Sequence, residues 1–128
     1  MRDCRLTIRI NKSSKEIYDF YINPQNTPLW IDSMVKEKTN EWPIKIGTIY
    51  RNQNRKGEWS EYKVTALKPY QVFELTSSDG NYHVRYTHNE IDENSSELEY
   101  YEWVDKGELE EPFTIDVLQK LKTIVEAR

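Results

Sequence analysis

The sequence predicts an α+β fold built on an antiparallel sheet, and three observations carry that prediction. Apolar residues recur with a period of two at the N-terminus and through the middle of the chain. They recur with a helical period just after the first strand and again at the C-terminus. Between the strand-like segments lie glycine-containing turns of hairpin length. With 128 residues and neither an internal repeat nor a Pro/Gly/Ser linker, the chain is expected to form one domain over residues 1–128.

The elements follow in order. From Asp3 to Ile10, Cys4, Leu6, Ile8 and Ile10 share one face and charged residues and a threonine the other, which predicts a half-buried strand. Ser13 and Glu16 form a capping-box pattern that opens a helix, with Ile17, Phe20 and Tyr21 on its apolar side and Asn23-Pro24 ending it. Thr27-Pro28 opens a second short helix, with Thr27 as the expected N-cap. Six strands come next, over Met34–Thr39, Thr48–Asn54, Glu58–Leu67, Gln71–Ser77, Tyr82–Ile91 and Glu97–Val104. The turn at Arg55-Lys56-Gly57 sets Tyr50 opposite Tyr62 and Arg51 opposite Glu61. Asp79-Gly80 sets Leu75 opposite Val84, Phe73 opposite Tyr86, Glu74 opposite Arg85 and Thr76 opposite His83. A last helix begins near Pro112 and carries Val117, Leu118, Leu121, Ile124 and Val125 as one stripe.

Composition narrows the function classes. Lys+Arg 18 against Asp+Glu 22 leaves a net charge of -4, which argues against a nucleic-acid binder relying on a basic excess. The single Cys4 excludes an intrachain disulfide scaffold, and no Cys/His spacing suggests a metal. Phosphate-loop, dinucleotide-binding and nucleophile-elbow motifs are all missing, so no cofactor is expected. No apolar run approaches the ~18–20 residues of a membrane span, and Met1–Ile10 lacks a signal-peptide core. A cytoplasmic location is the expectation. The chain is poor in aliphatics but holds nine Tyr and four Trp, so its core is expected to use amphipathic rings.

The order strand, helix, helix, six strands, helix (β-α-α-β6-α) resembles the START-like, or Bet v 1-like, superfamily, and within it the polyketide cyclase/dehydrase and lipid-transport group. Ser13 to Phe20, Asn23-Pro24 and Leu29-Trp30 look like that family's opening helix pair. Gly47-Thr48-Ile49-Tyr50 and Val64-Thr65-Ala66-Leu67-Lys68-Pro69 look like the start of its third strand and the end of its fourth. The resemblance implies a helix-grip fold, in which a curved seven-stranded antiparallel sheet packs its concave face on the C-terminal helix. It also implies a pocket between them. An activity does not follow, because the superfamily spans carriers, cyclases and chaperone co-activators.

Strand phase predicts what faces that helix. Tyr50, Asn52, Tyr62, Phe73, Leu75, Tyr82, Val84, Tyr86, His88, Tyr100 and Glu102 fall on one face, an apolar surface studded with phenols. With Trp30 near the mouth and Val117 and Leu121 on the helix, these residues are the candidate binding surface for a hydrophobic or aromatic small molecule. Whether the tyrosines line a pocket or fill it stays open at this point. His88 and Glu102, on adjacent strands in the same phase, are the candidate catalytic pair, a general base for an enolisable carbonyl. Trp59 and Trp103 fall on the convex phase, where they mark a homodimer or partner surface or lie under charged stems. Three functions are therefore weighed: a small-molecule binding protein, a cyclase- or dehydratase-like enzyme using His88 and Glu102, and a co-activator-like interaction module.

Overall fold

In the computed structural model, which describes residues 1–128, seven strands and three helices follow one another as β1 (Asp3–Ile10), α1 (Ser14–Tyr21), α2 (Thr27–Trp30), β2 (Met34–Thr39), β3 (Ile49–Asn54), β4 (Trp59–Lys68), β5 (Val72–Ser77), β6 (Tyr82–Asp92), β7 (Ser95–Val104) and α3 (Ile115–Glu126). The strands form one antiparallel sheet in the order β1-β7-β6-β5-β4-β3-β2, curled into a half-barrel. This is the expected α+β helix-grip layout. Hairpins build six consecutive strands, and β1 closes onto β7, so the two chain ends of the sheet meet.

The expected cross-strand pairs form. Tyr50 faces Tyr62 and Arg51 faces Glu61 between β3 and β4, while Phe73–Tyr86, Leu75–Val84, Glu74–Arg85 and Thr76–His83 pair between β5 and β6. At the β5–β6 turn Gly80 takes a positive φ of 78°, and the Asp79 carboxylate accepts from the Ser77 hydroxyl and the Asn81 N–H. That φ lies in the left-handed region that glycine tolerates at no steric cost. Between β4 and β5 the register shifts from Val64–Leu75 to Ala66–Glu74. The bulge at Thr65 breaks the alternation, so that Leu67 rather than Ala66 comes to face Phe73.

The helices close the concave side. Ser13 caps α1: its hydroxyl accepts from the Glu16 N–H at 3.2 Å, and the Glu16 carboxylate accepts from the Ser13 N–H. Ile17, Tyr18, Phe20 and Tyr21 then turn inward together. Thr27 is not the N-cap of α2; Asn26 is, because the Thr27 hydroxyl turns to the Glu37 carboxylate at 2.6 Å instead of the helix start. The last helix begins three residues later than expected, at Ile115. Phe113 cannot join it, since its N–H donates to Glu102 and its ring stacks on Tyr100 at 4.6 Å. Leu118, Leu121 and Val125 of α3 enter the same core as Ile10, Val64 and Leu98.

The docking of α3 is directly testable. Leu121 is fully buried, so Leu121→Ala is expected to cost about 2–5 kcal/mol in urea unfolding. Ile115, on the exposed first turn, should lose no more than about 0.5 kcal/mol as Ile115→Ala.

Candidate functional site

The concave face ends in an inner cavity of about 70 Å³. Nine of the sequence-predicted binding residues border it: Tyr50, Asn52, Tyr62, Phe73, Leu75, Tyr82, Val84, Tyr86 and Tyr100. The antiparallel register brings them together, because alternate residues of β3 to β7 project to one side. Trp30, Val117 and Leu121 do not reach the cavity. Trp30 is buried with its ring edge-on to Tyr86 and Phe113, Leu121 is core, and Val117 packs on the core's margin. Sequence reasoning missed Tyr21, Thr27, Ile31, Met34, Glu37 and Phe113, which come from the helices, from β2 and from the segment before α3. Strand phase predicts only what the central sheet contributes. A signal did exist for Tyr21, on the apolar side of α1, but how far it reaches into the sheet depends on docking.

Tyr21 is buried against the centre of the concave face. Its ring stacks on Tyr86 at 4.6 Å and on His88 at 5.5 Å, and its hydroxyl lies 2.7 Å from His88 Nε2. The Tyr50 hydroxyl donates to the Ile22 carbonyl at 2.6 Å, tying β3 to the end of α1. Burial raises the Tyr21, Tyr86 and Tyr100 phenols well above their ordinary value, so the aromatic lining stays neutral. A groove of about 980 Å³ lies beside the cavity, and Met34, Tyr62, Tyr82 and Phe113 border both spaces.

His88 and Glu102 are not brought together. A five-residue connection after β6 would set Ile91 opposite Glu97, but pairing runs deeper into the turn and sets Asn89 there. Leu98 therefore lies opposite His88, and Glu102 lies opposite Val84. Four residues of strand separate the two groups, about 13 Å at ~3.3 Å per residue. Glu102 instead accepts from the Phe113 N–H at 3.0 Å and from the Tyr82 hydroxyl at 3.4 Å, at the lip of the cavity. His88 does not border the cavity, and its Nδ1 has no hydrogen-bond partner. Burial pushes its pKa down to about 4, so the ring is neutral at physiological pH.

The carboxylate that does line the cavity is Glu37. It stands opposite Asn52 across β2 and β3 and accepts from the Thr27 hydroxyl. Burial raises its pKa to about 7, although hydrogen bonds from Thr27 and Asn52 pull the other way. No cluster of His, Cys, Asp and Glu could hold a metal ion. No helix is long and apolar enough to cross a membrane. On the convex face Trp59 lies under Lys38 at 5.0 Å, while Trp103 stacks between His83 and Tyr101 with Arg85 over it at 5.2 Å. Charged groups thus flank both indoles, and Trp59 stays exposed.

No family model matches the chain, and no curated protein is similar to it in sequence. Solved structures do share the fold. XoxI from Bacillus cereus superposes with a TM-score of 0.75 at 14% identity, over 98% of this chain and 96% of its own. The Aha1 dimer from Colwellia psychrerythraea gives a TM-score of 0.61 at 14% identity, over 99% of this chain and 91% of its own. The Polyketide_cyc-like protein Cgl2372 from Corynebacterium glutamicum gives 0.60 at 19% identity, over 82% and 67%. At these identities the likeness is one of fold.

The His88 environment predicts a pH dependence. The unfolded chain takes up a proton near pH 6.5, whereas the folded ring resists it down to about pH 4. Stability from the neutral ring is therefore present above pH 6.5 and is lost as the pH falls through that window. Proton NMR of the His88 ring should show no midpoint above about pH 5, and a midpoint near 6.5 would contradict the buried geometry.

Proposed function

We propose that the protein binds a small molecule in the cavity between the sheet and its helices. A compact head group enters the inner cavity, and a hydrophobic or aromatic body lies against Met34, Tyr62, Tyr82 and Phe113 at the lip. The observation that carries this reading is the cavity itself, a void lined by twelve hydrophobic side chains, eight of them aromatic, beside a larger groove. Its volume sets the size of the head group. At about 70 Å³ it is smaller than the ~150 Å³ engineered cavity that accepts benzene, so a long acyl chain does not fit. The likeness to Cgl2372 and Aha1 supports placing the chain with the START-like helix-grip superfamily. The separation of His88 from Glu102 favours binding over the cyclase-like reading.

Titration with 2-phenylethanol, followed by amide and aromatic NMR shifts, tests the proposal. Shifts concentrated at Tyr62, Tyr82, Tyr86 and Phe113 are expected. Leu75→Phe, which fills the cavity from β5, should weaken binding at least about tenfold, as the loss of a packed apolar site implies. Saturable binding that leaves the cavity residues unshifted would reject the site.

A further inference from the structure

We infer that the head group taken into the cavity is a small organic cation, a primary to quaternary ammonium. The inference rests on the binding reading above and adds the charge of the ligand. Four observations lead to it, and the first is how this protein treats carboxylates elsewhere. Glu102, buried and without an ion pair, accepts instead from the Phe113 N–H and the Tyr82 hydroxyl, while Glu74, also buried, is paired with Arg85 at 2.7 Å. Glu37 has no such partner: it forms no ion pair, and no lysine, arginine or histidine borders the inner cavity.

The second observation is the company Glu37 keeps. Tyr50, Tyr62, Tyr86 and Phe73 stand around the same space, with Tyr50 and Phe73 edge-to-face at 5.6 Å and Tyr62 and Tyr82 at 6.2 Å. Aromatic faces carry negative potential, so a ring-walled cavity holding one carboxylate attracts an ammonium and repels an anion. A neutral apolar ligand would leave the half-buried Glu37 carboxylate without a counter-charge, whereas an ammonium supplies the charge that the chain does not.

The third observation is the groove outside. Glu102 sits at the lip, and Asp32, Glu58, Asp79, Glu108, Glu110 and Glu111 lie farther out with Arg55 and Lys56, Asp32 being paired with Lys120 and Glu108 with the N-terminal ammonium. Glu110 and Glu111 are exposed and unpaired, so the approach to the cavity has a negative potential that concentrates cations. Fourth, the raised pKa of Glu37 is what an unmatched carboxylate shows. The titratable groups facing it are the Tyr50, Tyr62 and Tyr86 phenols, all neutral, so the pH response of the cavity near 7 belongs to Glu37.

Paired probes of one shape separate this inference from the binding reading. 2-Phenylethylammonium and 2-phenylethanol are titrated at pH 8, where an alkylammonium with a pKa of about 10 is charged. The ammonium should bind at least about tenfold tighter than the alcohol. Glu37→Gln, nearly isosteric and able to keep the Thr27 contact, should bring the affinity ratio of the two probes towards one. Lowering the pH to 6 should reduce ammonium affinity several-fold as Glu37 takes up its proton, with little change for the alcohol. Equal affinity of the two probes for the wild-type protein would overturn the cation while leaving the cavity as a binding site. Failure of both probes to bind would remove the binding reading with it. Should Glu37→Gln not fold, the wild-type ratio and its pH response still decide.

Discussion

The stacking of Tyr21 on Tyr86, 4.6 Å apart and nearly parallel, governs the interior of this protein. A half-barrel sheet with a helix across its mouth encloses more space than its side chains need, and something must occupy it. Here α1 supplies the occupant. Its tyrosine reaches over the centre of the sheet, meets Phe73 and Tyr86, and ends with its hydroxyl on His88. Moving that ring would expose a buried imidazole with one nitrogen already unpartnered, so the contact is held from both ends. What remains of the concavity is the residual space beside it.

That residual space has a character distinct from the packed centre. Around His88 and Tyr21 every ring is neutral and the packing is dense. A few ångströms towards β2 the wall acquires Thr27, Asn52 and Glu37, a donor, an amide and an acid converging on one side of the cavity. The contrast with Glu74 shows that the sheet can match a carboxylate where it needs to, using Arg85 on the next strand. Leaving Glu37 without a counter-charge costs stability, and under the proposed reading a ligand that brings its own positive charge would offset that cost only when bound. The proposed binding would thus couple affinity to stability through one side chain.

Legibility varied by element for identifiable reasons. The β5–β6 register was readable because Asp79-Gly80 and the alternation of Phe73, Leu75, Val84 and Tyr86 impose the same pairing. The β6–β7 register was not, because the polar run from Asp92 to Ser96 has no glycine to mark the turn, and its serines turned out to be buried strand residues. A slip of two residues there separates His88 from Glu102. The bulge at Thr65 and the late start of α3 were hidden for a related reason. Each is imposed by a partner distant in sequence, Glu74 in one case and Glu102 in the other.

By itself the sequence determined the order of elements, the phase of each strand and the collection of phenols on one face. All three follow from periodicity and turn chemistry, which are local. Tertiary structure alone decided that Tyr21 packs over the centre of the sheet, that the cavity left is about 70 Å³, and that the acid facing it is Glu37 rather than Glu102. Those outcomes depend on how α1, α2 and β2 dock against strands far away in the chain. Side-chain period cannot report that distance.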